Sequence, residues 1–65
     1  MQLIINGVAQ SSEPGTLAEL LEHLAYAPNA VATAVDGVFV ACTVRSALQL
    51  RDGMQIDIVA PIQGG

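Results

Sequence analysis

Apolar residues along this chain come in short runs, and three of the runs are separated from the next by an acidic or amide residue followed by glycine. Gln2 to Asn6 is apolar and rich in isoleucine, and Asn6-Gly7 supplies the positive backbone angles of a tight hairpin turn. Val8 to about Ser12 reads as the returning strand, polar and weakly patterned as an edge strand is. Pro14-Gly15 breaks it. Thr16-Leu17-Ala18-Glu19 then has the form of a capping box, so a helix is expected from Leu17. Leu17, Leu20, Leu21 and Leu24 fall on one stripe, while Glu19, Glu22 and His23 face away. Ala25 to Asn29 is a connection in which Pro28 stops the helix. Val31 to Val35 and Val38-Phe39-Val40 flank the turn Asp36-Gly37, and Ala41 to Gln49 is irregular, with a short helical turn expected near Ser46 to Leu48. After Asp52-Gly53, Met54 to Ala60 alternates, placing Met54, Ile56, Ile58 and Ala60 on one face and Gln55, Asp57 and Val59 on the other. Pro61 cannot donate to a ladder, so pairing is expected to end there.

The order strand, strand, helix, strand, strand, strand gives an α+β chain whose single apolar helix stripe must be covered by a sheet. One mixed sheet of four to five strands with one main helix across a face meets that need. The first and last strands are then central and parallel, because the chain crosses over between them. This is the β-grasp arrangement. It divides the sequence into a domain over residues 1–60 and a tail over 61–65 that ends in Gly64-Gly65.

Composition narrows the functional classes. A chain of 65 residues buries only about 60% of its unfolded surface and has no room for an enclosed active site. With one cysteine and one histidine, neither a disulfide nor a metal can staple it. The unpaired Cys42 and the absence of a basic, apolar leader pattern at Met1-Gln2-Leu3 lead to a cytoplasmic expectation. No apolar run reaches bilayer length, so no membrane partner is expected. The net charge of −4 repels polyphosphate backbones and argues against nucleic acid, while it suits a basic docking surface as well as simple solubility. Lysine is absent, so the N-terminus is the one primary amine.

Among single residues, Cys42 is expected to be a half-buried structural thiol rather than a persulfide acceptor, since no second cysteine and no adjacent lysine or histidine activates it. His23 is expected on the solvent side of the helix. Tyr26 and Phe39, the two aromatic residues, have core packing as the default and docking as the sharper alternative. The sheet face away from the helix gathers Ile4 and Val59, with Val38, Phe39 or Val40 beside them according to register. Ile4, Phe39 and Val59 are therefore the candidate partner surface.

The tail carries the candidate chemistry. Pro61 to Gly65 extends about 17 Å at most, and Gly64 and Gly65 have no Cβ to collide with the walls of a narrow channel. A carboxylate at its tip is a poor electrophile until one oxygen becomes a leaving group, which adenylation provides.

Taken together, Met1-Gln2-Leu3-Ile4-Ile5-Asn6-Gly7, Thr16-Leu17-Ala18-Glu19-Leu20-Leu21, Val35-Asp36-Gly37, the run Leu50 to Val59 and the closing Gly64-Gly65 resemble the ThiS family of thiamin-biosynthesis sulfur carriers over almost the whole chain. The resemblance implies a ubiquitin-like β-grasp fold and a carrier rather than an enzyme. In that family the terminal glycine, here Gly65, is adenylated with ATP by a separate E1-like adenylyltransferase and converted to a thiocarboxylate. The sulfur derives from a cysteine desulfurase or a related donor and passes to thiazole synthase. By residue, only Gly65 as the sulfur-carrying terminus and Gly64 as its slim neighbour carry over, and no cofactor is implied on the chain itself. Met54 and Ala41-Cys42 depart from the family's usual acidic residue and proline-basic pair, differences that touch partner choice. A sulfur carrier for molybdopterin, a ubiquitin-like modifier and a plain binding module share the fold as alternatives.

Overall fold

The computed structural model describes residues 1–13 and 15–60, so the proline break at Pro14 and the tail 61–65 lie outside the described residues. Strand β1 (Gln2–Ile5) turns at Asn6 (φ 51°) and Gly7 (φ 82°) into the antiparallel β2 (Val8–Ser11). Both turn residues occupy the left-handed region that a two-residue hairpin of this hand demands. Helix α1 (Leu17–His23) follows, then a 3-10 turn at Pro28–Ala30, β3 (Ala32–Val35), β4 (Val38–Val40), a 3-10 segment at Cys42–Ala47 and β5 (Gln55–Val59). The sheet order is β2-β1-β5-β3-β4. β1 and β5 are parallel, and the remaining pairs are antiparallel. The polar second strand is thus an edge, and the first and last strands are neighbours inside the sheet.

Helix α1 begins where its sequence dictates. The Thr16 hydroxyl accepts from the Glu19 amide at 3.2 Å, and the Glu19 carboxylate accepts from the Thr16 amide at 2.9 Å, closing the capping box. Leu17, Leu20 and Leu21 are fully buried and Leu24 packs at the margin of the core. They meet Leu3 and Ile5 of β1, Ile56 and Ile58 of β5, and Val31, Val35, Val40 and Leu50. Burial of β5 alternates, with Ile56 and Ile58 inward and Gln55, Asp57 and Val59 outward.

The helix end is specified in detail, and two local expectations are corrected. The helix ends before the connection at residues 25–29, as expected. It closes at Leu24, with the Tyr26 amide donating to Leu21 O at 2.9 Å and the Ala25 amide to Glu22 O at 3.0 Å, while Ala25 takes φ 63°. This is a Schellman ending built on alanine, a residue that reaches the left-handed region only at a cost. The helical turn expected at Ser46 to Leu48 lies instead at Cys42–Ala47, because Arg45 anchors that segment inward. Ala60 leaves the alternating pattern: β5 ends at Val59, and Ala60 is exposed.

Candidate functional site

The register of the sheet decides which side chains share the face away from α1. Ile4 lies beside Ala9 and Gln55, Asp57 and Phe39 flank Ala34, and Val59 lies beside Ala32. Ile4, Phe39 and Val59 therefore all stand on the open face. Val38 and Val40 belong to the opposite one, since they pair with Val35 and Thr33, whose side chains are buried under the helix. Core packing as the default for Phe39 is overturned: the ring is 70% exposed, and Val59 is 60% exposed. Phe39 and Val59 flank the small residues Ala32 and Ala34, whereas Ile4 is half-buried and lies toward the other end of β5. Asp57 is the one charged residue of this face among the described residues. A largely uncharged face with a large exposed aromatic ring resembles the core of a protein interface more than an ordinary surface.

This face ends where the candidate tail begins. Val59 is the last residue of β5, and the sequence continues through Ala60 to Gly65. Gly64 and Gly65 themselves lie outside the described residues.

The turn residues do more than turn. The Asp52 carboxylate accepts from the Gln2 amide at 2.6 Å, and the Asp36 carboxylate accepts from the Gln55 amide at 3.0 Å. The Asn6 side chain accepts from the Ile58 amide at 2.7 Å and donates to the Ile58 carbonyl at 3.1 Å. Each ties one hairpin or loop to a neighbouring strand. The sequence shows these residues as turn formers, and only the topology reveals the cross-strand bonds.

Arg45 is the largest feature that sequence reasoning missed. Its side chain is 3% exposed. Nε donates to Thr33 Oγ1 at 3.1 Å, Nη1 to Pro28 O at 2.8 Å and Nη2 to Val31 O at 2.7 Å, while the Thr33 hydroxyl donates to Val40 O at 2.9 Å. Among the described residues no carboxylate forms an ion pair with it. The planar fork of donors joins the segment 42–47 to the entry of β3 and, through Thr33, to β4. An arginine in an otherwise irregular stretch gave no periodic signal for this role.

Other candidates resolve simply. Cys42 is exposed, contrary to the half-buried expectation, because it sits on the outer side of the 3-10 segment that Arg45 holds. His23 is exposed on α1, as expected, and Tyr26 is half-buried against the core. Glu13, Glu19, Glu22 and His23 line a shallow depression on the helix side. No group of three or more potential metal ligands is found among the described residues, and no helix there is long and apolar enough to cross a membrane.

A five-stranded mixed sheet with one main helix packed on one face defines a ubiquitin-like β-grasp protein. The solved structure of the thiamine biosynthesis protein ThiS from Geobacter metallireducens is similar to it over 100% of both chains, with a TM-score of 0.86 and 25% identity. The sequence model of the ThiS family matches residues 4–65, and the chain belongs to that family. Comparison with curated proteins finds no match.

Proposed function

We propose that this protein is a sulfur carrier of thiamin biosynthesis, acting in the cytoplasm as a co-substrate of partner enzymes rather than as an enzyme. The observation that carries the reading is the family match, which extends through Gly65. It is supported by the full-length similarity to the Geobacter metallireducens protein. An adenylyltransferase binds the open face at Phe39 and Val59, with Ile4 at its far margin, and receives the tail. The Gly65 carboxylate attacks the α-phosphorus of ATP bound to that partner, pyrophosphate leaves, and the terminus becomes a mixed anhydride. A persulfide sulfur originating from a cysteine desulfurase or similar donor then attacks the acyl carbon and AMP leaves, and a thiol reductant cleaves the S–S bond of the resulting acyl disulfide to release the thiocarboxylate. The thiocarboxylate is a soft nucleophile and delivers sulfur to thiazole synthase.

The chain contributes a docking face and a slim terminus, while the groups that activate ATP belong to the partner. Gly64 offers no side chain to obstruct entry. The absence of lysine leaves few amines on the carrier to intercept its own activated terminus. The test is genetic: the chain is expressed in a bacterial host that lacks its own ThiS-family carrier and requires thiamin. Growth without thiamin is expected, and a variant lacking Gly65 is expected to fail. No growth from the well-expressed full chain would contradict the pathway assignment.

A further inference from the structure

We propose that Asn6 is a positioning residue for the C-terminal glycine, holding the end of β5 from which the chain continues to Gly65. The inference rests on the sulfur-carrier reading above. β1 pairs with β5 only at Ile4 with Gln55 and Ile5 with Ile56, after which the Asn6 amide donates to Ile56 O at 2.9 Å and the chain turns away with φ 51°. β5 continues to Val59. On its β3 side, Ala34 and Ala32 stand opposite Asp57 and Val59. On its β1 side, Ile58 has no strand beside it, and the Asn6 side chain takes that place by accepting from the Ile58 amide at 2.7 Å and donating to its carbonyl at 3.1 Å. A carboxamide offers the same donor and acceptor as a peptide group, so one side chain replaces one missing peptide of β1.

Turn formation alone does not account for asparagine at this position. The turn Asp36-Gly37 has the same left-handed angles, φ 51° and φ 84°, with aspartate in the corresponding place. Aspartate has no donor for the Ile58 carbonyl, and glycine has neither group. Asparagine alone of these three common turn formers provides both halves of the pairing. The position paired is also the one that matters for delivery, since Ile58 is followed by Val59 on the docking face and then by Ala60 and the tail. With the open face docked, the path of the terminus depends on the direction in which β5 ends. A terminus delivered to the wrong place lowers the rate within the complex more than the affinity of the complex.

The experiment uses the full chain with its host's adenylyltransferase and ATP, following pyrophosphate release at varied carrier concentration. Asn6→Gly keeps the turn and removes both bonds. It is expected to lower kcat about fivefold, what two hydrogen bonds at the low end of their net contribution supply, with KM changed less than about twofold. Asn6→Asp keeps the turn and the acceptor but sets a carboxylate oxygen against the Ile58 carbonyl, so kcat is expected to fall here too, about fivefold. Both are assayed at a temperature where far-UV circular dichroism shows complete folding, and exchange of the Ile58 amide is expected to accelerate in Asn6→Gly. A lowered unfolding midpoint with unchanged kcat would assign Asn6 a structural role and overturn the proposal, as would a raised KM at unchanged kcat. Turnover of the wild type with an unaltered Asn6→Gly would overturn this inference alone. No turnover of the wild type with an active enzyme would overturn the carrier reading and this inference with it.

Discussion

Replacing Arg45 with methionine probes the principal buried polar contact of the fold. Methionine retains most of the aliphatic length and removes the guanidinium, which is buried and donates to Pro28 O, Val31 O and Thr33 Oγ1. The Thr33 hydroxyl still donates to Val40 O, so its loss is small, but the two carbonyls are left without their donor. A buried polar group left unpaired costs about 1–3 kcal/mol, partly offset because a desolvated cation is no longer present. A net loss of about 2–4 kcal/mol follows. A chain of this length is stable by only about 3–10 kcal/mol in total, so the variant stands near the edge of folding. Arg45→Lys offers one compact donor group in place of a planar fork and should lose about 1–2 kcal/mol. Urea unfolding followed by far-UV circular dichroism is the suitable assay, because the chain has no tryptophan and one tyrosine. With a slope of about 1 kcal/mol per molar for so small a domain, the Arg45→Met midpoint should fall by about 2–4 M. A loss below about 1 kcal/mol, or a lysine variant as stable as wild type, would refute the assignment of Arg45 as the anchor of residues 42–47.

The remaining predictions concern the helix ends and the open sheet face. Thr16→Ala removes the hydroxyl half of the capping box and should destabilise by about 1 kcal/mol in the same urea assay. Ala25→Gly relieves an alanine held at φ 63° and should stabilise by about 1 kcal/mol, raising Tm by about 4–8 °C. A fall in Tm would show that the Schellman ending is not strained. Phe39→Asp places a carboxylate on the open face, so binding to the adenylyltransferase, measured by calorimetry, should weaken at least about tenfold while folding stability changes by less than about 1 kcal/mol. Unchanged affinity would place the interface elsewhere.

Much of this architecture was legible because short-range rules determined it. Asn6-Gly7, Asp36-Gly37 and Asp52-Gly53 mark their turns by backbone angle, and Thr16 with Glu19 marks the helix start by hydrogen bonding. The leucine stripe marks the buried side, and alternation in β5 separates its two faces. What could not be read depended on contacts distant in sequence. Asn6 reaches Ile58 across 52 residues, and Arg45 finds its acceptors in the segment 28–33. No periodicity encodes either. The side of the sheet taken by Phe39 required the β3–β4 register, and once that register is known its exposure follows. The place of the helix end was legible but its form was not, because alanine at Ala25 gives none of the glycine signal that usually marks a Schellman ending. For the candidate site, Ile4 and Val59 could be gathered from alternation, but the choice of Phe39 over Val38 and Val40, and the distance of Ile4 from the other two, could not.

The most direct test of the central claim is intact-protein mass spectrometry of the chain after co-expression with its host's adenylyltransferase and cysteine desulfurase, beside a variant lacking Gly65. Sulfur transfer predicts a mass gain equal to replacement of one oxygen by sulfur, present in the full chain and absent from the variant. No gain in the full chain, while the same enzymes load a known carrier, would contradict the account. Covalent adducts to other proteins in place of that gain would contradict it equally.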